Sequence, residues 1–246
     1  MTESSENYDL VILGGGTAGY AAAFRGATLG MRVALIERDK VGGTCLHRGC
    51  IPTKALLHAA EVADTTKAAG DFGIRAEFQG IDIEAVLAYK DDIIAKNHKG
   101  LQGLVKVRGI DYISGEGRLV SQDTIEVSND EGGVSVTGKH IILATGSEPK
   151  TIGIDITGRV LTSTEALQLA DVPQSAIVLG GGVIGVEFAS VWASFGSKVT
   201  IVEGLPRLVA NEDEAISKNL ERAFKKRKIG VKVGKMFKSV TQDDDQ

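Results

Sequence analysis

Cysteine is almost missing from this chain: among 246 residues there are only Cys45 and Cys50, with four residues between them. Basic excess is missing as well. The 28 Lys and Arg are outnumbered by 32 Asp and Glu, and the net charge of −4 carries no electrostatic footprint for nucleic acid. The one basic run, Lys225-Lys226-Arg227-Lys228, closes an amphipathic stretch from about Glu212. Cations there complement a helix dipole, and Ile229-Gly230 would then stop the helix. No apolar run approaches the roughly 18 residues that a membrane span needs. The opening MTESSENYDLVILGG has no basic flank before its apolar run, so no signal peptide is expected. Low-complexity segments are absent too, and the DDDQ end reads as a solvated tail. These absences predict a cytoplasmic protein with no membrane and no nucleic-acid partner. In that compartment structural disulfides are rare, and a close cysteine pair points to catalysis or metal binding.

What is present begins with a repeat. Residues 8–39 (YDLVILGGGTAGYAAAFRGATLGMRVALIERD) and 175–206 (SAIVLGGGVIGVEFASVWASFGSKVTIVEGLP) share one plan. An apolar run leads to a glycine cluster, then a helix-like stretch, then a second apolar run ending in Glu37 or Glu203. The pattern is β-turn-α-β twice over, with G-x-G-x-x-G at Gly14, Gly16 and Gly19 and again at Gly180, Gly182 and Gly185. One such motif alone is weak, because glycine also serves ordinary turns. Here each copy follows a strand, opens a helix and precedes an acidic residue at the end of the next strand. Each also has a small residue four places beyond the third glycine, Ala23 or Ala189, which permits close helix–strand packing.

The chemistry follows from the pattern. Glycines let backbone approach a pyrophosphate, while a helix N-terminus offers free N–H groups and a positive dipole end. Glu37 and Glu203 can each accept hydrogen bonds from a ribose diol, and a carboxylate there repels a 2′-phosphate. Between the repeats lie helical stretches, about Leu56 to Ala69 and Ile83 to Val105. A β-rich region follows, with IDYISGEGRLV, TIEVS, GVSVTG and KHIILATGSEP, and a turn at Asn129–Gly133. A looser connector near Thr151 to Pro173 divides the chain into expected domains 1–150 and 151–246. The predicted fold class is α/β, with two Rossmann-like dinucleotide-binding units.

Three readings of the cysteines compete. Zinc would need four ligands; Cys45, His47, Cys50 and His58 are at hand, but their spacing matches no familiar zinc pattern. A second reading is an incidental pair. The third is a redox disulfide, and position favours it. The pair follows Glu37 closely, at the start of the next helix, where a helix N-terminus is expected to lower a thiol pKa. A dithiol beside two dinucleotide turns would pass electrons between them.

The segment GGTCLHRGCIPTK (42–54) resembles the redox-active segment of the flavin-dependent pyridine nucleotide–disulfide oxidoreductases. GGGTAGYAAA is similar to that family's FAD fingerprint, ILATGSEP to its A-T-G motif and GGGVIGVEFA to its NAD fingerprint, so the likeness runs over essentially the whole chain. Within the family it is most similar to the branch that oxidises dihydrolipoyl groups; glutathione and mercuric reductases share the framework. The resemblance implies FAD and NAD as cofactors. Cys45 would exchange with the substrate disulfide, and Cys50 would lie against the flavin. Lys54 would stand near the flavin and pair with Glu187. The FAD site would be lined by Gly14, Gly16, Gly19, Glu37, Gly43, Thr44, Lys54, Gly117, Thr145, Gly146 and Ser147. The NAD site would be lined by Gly180, Gly182, Gly185, Glu187 and Glu203. No metal is implied. His47 departs from the family, which often has Asn there, and is expected to face solvent as a spectator; His58, His98 and His140 show no partner in the sequence.

The resemblance also implies partners: the lipoyl-bearing acyltransferase of a 2-oxo-acid dehydrogenase complex, and a second copy in a homodimer. Full-length relatives continue with a second FAD segment, then a C-terminal dimerisation domain whose His–Glu couple acts as acid–base catalyst. Neither feature occurs before Gln246. Residues 1–246 alone are therefore expected not to turn over dihydrolipoamide at the rate of a full-length relative. The competing expectations are a mercuric- or glutathione-type disulfide reductase and a non-catalytic nucleotide-binding remnant.

Overall fold

A computed structural model of the chain describes residues 6–129 and 132–242. The middle of the expected Asn129–Gly133 turn and the DDDQ end lie outside the described residues. The element order begins β1 (Glu6–Leu13), α1 (Thr17–Thr28), β2 (Val33–Glu37), α2 (Gly43–Arg48) and α3 (Cys50–Lys67). A 3-10 turn (Ala69–Phe72) precedes α4 (Ile83–Val107), β3 (Asp111–Ser114), β4 (Glu116–Leu119), β5 (Thr124–Asn129) and β6 (Gly132–Leu143). Then come α5 (Ser163–Ala166), β7 (Ser175–Leu179), α6 (Val183–Phe195), β8 (Lys198–Val202), α7 (Glu214–Lys226) and β9 (Gly230–Lys232). The chain divides into two compact units, Met1–Ile51 with Asp92–Glu148, and Pro52–Asp91 with Pro149–Gln246.

The first unit is built on a six-stranded sheet in the order β3-β2-β1-β6-β5-β4. β1 and β2 are near-continuous apolar runs because parallel strands are covered on both faces. Successive side chains go to opposite sides. Leu10, Ile12, Val33 and Leu35 pack with Ala23 of α1 and Val105 of α4. Val11, Ala34 and Ile36 meet Ile125, Val127 and Val136 on the other face. Burying such a side chain stabilises by about 1.5–3 kcal/mol.

The segments GVSVTG and KHIILA join into one strand. β6 pairs antiparallel with β5 from Gly132 to Thr137, then parallel with β1 as far as Leu143. Gly138 does not break it, because the strand passes so close to Val11 that an added Cβ would lie 2.6 Å from Val11 Cγ2. Helix α3 starts at Cys50 rather than near Leu56. Pro52 falls in its first turn, where a missing N–H costs no helical hydrogen bond.

The second unit has the parallel sheet β7-β8-β9. Its core forms around α6, where Ala189, Val191 and Trp192 pack with Ile201, Leu208 and Phe224, and with Leu56 and Ala60 of α3. A polar cluster fastens the helices. Arg227 donates to Ser190 Oγ at 2.6 Å and Ser194 Oγ at 2.7 Å, and Ser194 Oγ donates to Asp64 at 2.6 Å. Arg227 of the basic run thus ties helices together; α7 ends at Lys226, and Lys228 just beyond it has φ +61°.

Among the described residues β7 pairs only with β8, and its Ile177 is 77% exposed. An unpaired, apolar edge strand invites association with another chain. Ile177→Lys should raise the concentration at which the purified chain stays monodisperse in light scattering; identical behaviour of variant and parent would clear β7 of that role.

Candidate functional site

Both glycine clusters sit at the carboxyl ends of parallel strands, where open α/β sheets place their ligand crevices. In the first unit Gly14 has φ +105°, and a side chain there would collide with the Ala144 carbonyl oxygen. A side chain on Gly19 would collide with the Gly14 carbonyl oxygen, so helix α1 rests directly on the turn. The helix begins after Gly16 with no side-chain cap and no acidic residue in its first turn. Its first N–H groups are left for an anion.

Glu37 does more than stand at a strand end. Its carboxylate accepts Gly15 N–H at 2.7 Å and Asp39 N–H at 2.9 Å. A carboxylate has about four acceptor sites, so both oxygens keep capacity for a ribose diol. From the other side, Gly42 N–H donates to the Gly15 carbonyl at 2.8 Å. Hydrogen bonds to charged groups are worth about 1.5–3 kcal/mol each.

The second unit repeats the device. Gly180 has φ +106°, and a side chain on Gly185 would collide with the Gly180 carbonyl oxygen. Gly182 precedes α6 without a side-chain cap, and an added Cβ at Gly182 would meet open space. The Glu203 carboxylate accepts Gly181 N–H at 2.5 Å and Leu205 N–H at 2.7 Å. Val209 N–H donates to the Gly181 carbonyl at 2.8 Å. A cavity of about 130 Å³ beside this turn is lined by Gly182, Val183, Glu203, Leu205, Val209 and Asn211. A larger hollow of about 440 Å³ lies at the amino ends of β1–β3, against Tyr8, Arg32 and Asp111, away from the turns. Both turns fit a dinucleotide on three counts: bare glycine, free helix N–H groups and a carboxylate with spare acceptors.

The middle glycines, Gly15 and Gly181, were missing from the sequence-level site. Both are crowded: an added Cβ would lie 3.1 Å from Glu37 Cβ at Gly15, and 2.5 Å from Leu208 Cδ2 and 3.2 Å from Glu203 Cβ at Gly181. The signal was visible in the sequence, since both clusters read GGG rather than GxG.

The cysteines sit beside the first turn. Cys45 lies in α2 and Cys50 opens α3, with Gly49 breaking the two helices. Both thiols are free, Cys45 partly buried and Cys50 exposed. The Cys45 thiol neighbours Cys50 and Thr17, the first residue of α1. Burial pushes the Cys45 thiol up, the side chain and charge of Cys50 add to this, and the Cys50 backbone and Thr17 oppose it. The lowering expected from a helix N-terminus is outweighed, because α2 is only six residues long and its thiol is partly desolvated.

Gly43, with φ +58°, approaches Gly16 so closely that its added Cβ would lie 2.6 Å from Gly16 Cα. Thr44 is exposed next to it. Gly117 lies inside β4, where an added Cβ would meet Leu13 Cδ1 at 2.5 Å, a packing position. Thr145, Gly146 and Ser147 are exposed after β6, in a loop that passes Gly14. Lys54, one turn beyond Cys50 along α3, donates to Glu187 Oε1 at 2.6 Å.

His47 is not the solvent-facing spectator expected. It is partly buried, bonds through Nε2 to the Val41 carbonyl oxygen at 3.0 Å, and packs edge-on against His98 at 5.0 Å. Burial holds the His98 pKa low, and the charges of His47 and Lys40 lower it further against the pull of Asp39. Sequence spacing gave no hint of this pair, since the two residues are brought together only by packing of α2 on α4. Among the described residues no three His, Cys, Asp or Glu side chains assemble as a metal site, so the zinc reading lacks its ligand set. No described helix is long and apolar enough to cross a membrane.

Residues 8–246 match the family model of the pyridine nucleotide-disulphide oxidoreductases. The chain is 43% identical to a dihydrolipoyl dehydrogenase of Bacillus subtilis, covering 96% of this chain and 53% of that protein. It is 39% identical to mitochondrial dihydrolipoyl dehydrogenase 1 of Arabidopsis thaliana, over 99% of this chain and 49% of that one. The fold superposes with TM-score 0.79 on the Cu(II) complex of the HOCl-induced flavoprotein disulfide reductase RclA from Escherichia coli, at 30% identity, covering 97% of this chain and 52% of that one. The chain thus spans about half the length of the curated relatives it matches.

The thiol environments predict an order of reaction. Near pH 7.5 iodoacetamide should alkylate exposed Cys50 before Cys45, because the raised Cys45 pKa keeps that thiol protonated and unreactive. The gap should narrow as pH rises through the Cys45 pKa, and peptide mass spectrometry reads both rates. Faster labelling of Cys45 at neutral pH would contradict the assigned environments.

Proposed function

The chain belongs to the pyridine nucleotide-disulphide oxidoreductase family, and on that premise we propose that it carries the dithiol and dinucleotide half of a dihydrolipoyl dehydrogenase. The family's members are flavoprotein oxidoreductases whose cofactors are FAD and NAD(H). The observation that carries this reading is the seat of the thiol pair: Cys45 in α2 and Cys50 at the start of α3 follow directly on Gly43, which packs against Gly16 of the first dinucleotide turn. A thiol pair placed there can hand electrons to whatever occupies that turn.

In this reading residues 1–150 carry the FAD turn and residues 151–246 the NAD turn. Gly14, Gly16 and Gly19 leave room for the FAD pyrophosphate, the α1 N-terminus faces it, and Glu37 takes the ribose. Gly180, Gly182, Gly185 and Glu203 do the same for NAD. Gly43, Thr44, Gly117, Thr145, Gly146 and Ser147 complete the FAD side, while Lys54 and Glu187 form the charged pair near the flavin.

In the exchange the protein starts as the Cys45–Cys50 disulfide. A thiolate of the dihydrolipoyl group attacks Cys45 sulfur, the Cys45–Cys50 bond breaks, and Cys50 leaves as thiolate. The second substrate thiol then displaces Cys45, closing the substrate disulfide. Two protein thiols remain, having gained two electrons. FAD held at the first turn would supply the two-electron link to NAD⁺, so that the sum would be dihydrolipoamide plus NAD⁺ giving lipoamide, NADH and a proton. The chain's own part is to hold the two thiols beside the turn, with burial of Cys45 disfavouring its thiolate. Its partners would be a lipoyl-bearing acyltransferase and, in the full-length form, a second copy in a homodimer.

The 30% identity to the Escherichia coli flavoprotein disulfide reductase favours one second reading, in which electrons run from the nicotinamide cofactor to a different disulfide. The disulfide form of the chain, treated with dihydrolipoamide in a thiol-counting assay, separates the possibilities. Two new protein thiols per chain should appear, and Cys45→Ser should give none. A protein disulfide that persists under excess dihydrolipoamide sinks the proposal; a bound nucleotide without exchange would mark a binding remnant.

A further inference from the structure

Loop 204–213, which follows β8, forms one wall of the cavity beside the second glycine turn. Its key residue is out of place by the ordinary rules. Val209 has φ +42°, a left-handed conformation that a β-branched side chain resists. The same conformation aims its N–H at the Gly181 carbonyl, so relaxing Val209 would release the middle glycine and move the wall. Something must hold it.

The holder is Arg207. Its guanidinium donates to the Ala210 carbonyl at 2.6 Å, the Glu212 carbonyl at 2.7 Å and Ser217 Oγ at 3.2 Å. Ser217 Oγ in turn donates to the Leu208 carbonyl at 2.7 Å, and Glu212 N–H donates back to the Val209 carbonyl at 2.8 Å. Val209 is therefore clasped from both sides by one planar fork, while Leu208 anchors the loop at 0% exposure. Arg207 is the one basic residue between Glu203 and Glu214, hence the natural candidate to read a 2′-phosphate. Its donors point instead at neutral loop carbonyls.

We propose that Arg207 is a positioning residue for the nicotinamide dinucleotide, acting through left-handed Val209, and not a phosphate-reading residue. This rests on the reading of the second turn as the NAD site. It makes the preference for NAD over NADP a property of Glu203 facing the ribose, with Arg207 already engaged by its own loop.

A double-mutant cycle tests it in the 246-residue chain, with NADH and NADPH as probes and nucleotide fluorescence as readout. Arg207→Met should weaken NADH about tenfold, the scale on which a lost left-handed conformation shows in an affinity. In a Val209→Gly background, where glycine adopts that φ freely, the same change should cost no more than about twofold, since coupled residues depart from additivity. Arg207→Lys, which keeps the charge and one donor direction, should fall between; it carries the cycle if thermal melting shows the Met variant unfolded. Equal losses in both backgrounds, unchanged NADH binding in Arg207→Met, or a selective loss of NADPH would each overturn the inference. Absence of NADH binding by the parent chain would overturn the NAD reading itself, and the inference with it.

Discussion

A carboxylate held to a glycine by backbone N–H groups keeps each dinucleotide turn open, and most of the site geometry depends on that clamp. Glu37 binds Gly15 and Asp39, and Glu203 binds Gly181 and Leu205, in the same pattern. Each middle glycine is gripped again through its carbonyl, by Gly42 N–H or Val209 N–H. Without the carboxylates, two donors at each turn would need other partners, because a partly buried N–H left unpaired is costly. With them, the turn is rigid before any ligand arrives. A ligand then spends less of its binding energy on ordering the site. Glu37 and Glu203, proposed to face the ribose, are thus also the struts that shape the two glycine turns.

Opposing influences meet at the thiol pair. Placement beside a helix N-terminus argues for an easily ionised thiol, while partial burial and a second thiol at hydrogen-bonding distance argue against it. At Cys45 the second set wins. The raised Cys45 pKa keeps that thiol protonated near neutral pH, which shields it from oxidation by a passing disulfide or peroxide. Cys50, exposed at the start of α3, is the more accessible sulfur in the reduced pair.

The architecture was largely legible in the sequence because it is written locally. Apolar runs, a glycine cluster, a helix and an acidic strand end occur in order, twice, and each is a short-range pattern. The limits of α4 came within two residues at its C-terminus. What escaped depends on contacts between distant segments. His47 meets His98 because α2 packs on α4, across 51 positions of sequence. Arg207 and Val209 sit in a loop whose composition, GLPRLVANED, shows neither the left-handed valine nor the fork. The association of residues 52–91 with 149–246 likewise leaves no mark in composition or period. Gly15 and Gly181 are a different case, since both were visible and their reason was not.

The two turns solve one problem in two ways, and the difference explains why only the first carries the thiols. Both need a left-handed residue in the loop after the second strand, to send an N–H back to the middle glycine. In the first unit that residue is Gly42, at no steric cost, and Gly43 follows, also left-handed. This pair of glycines lets α2 begin in contact with Gly16 and puts Cys45 within reach of Thr17. A side chain at Gly42 would strike Leu46, and one at Gly43 would strike Gly16. In the second unit the residue is Val209, and the loop is held by Leu208, Arg207 and Ser217 instead. That solution builds a wall but leaves no place for a short helix against the turn. The glycine pair at 42–43 is therefore a structural precondition of the dithiol. Its placement immediately before Thr44 and Cys45 ties the geometry of the first glycine turn to the position of the thiols.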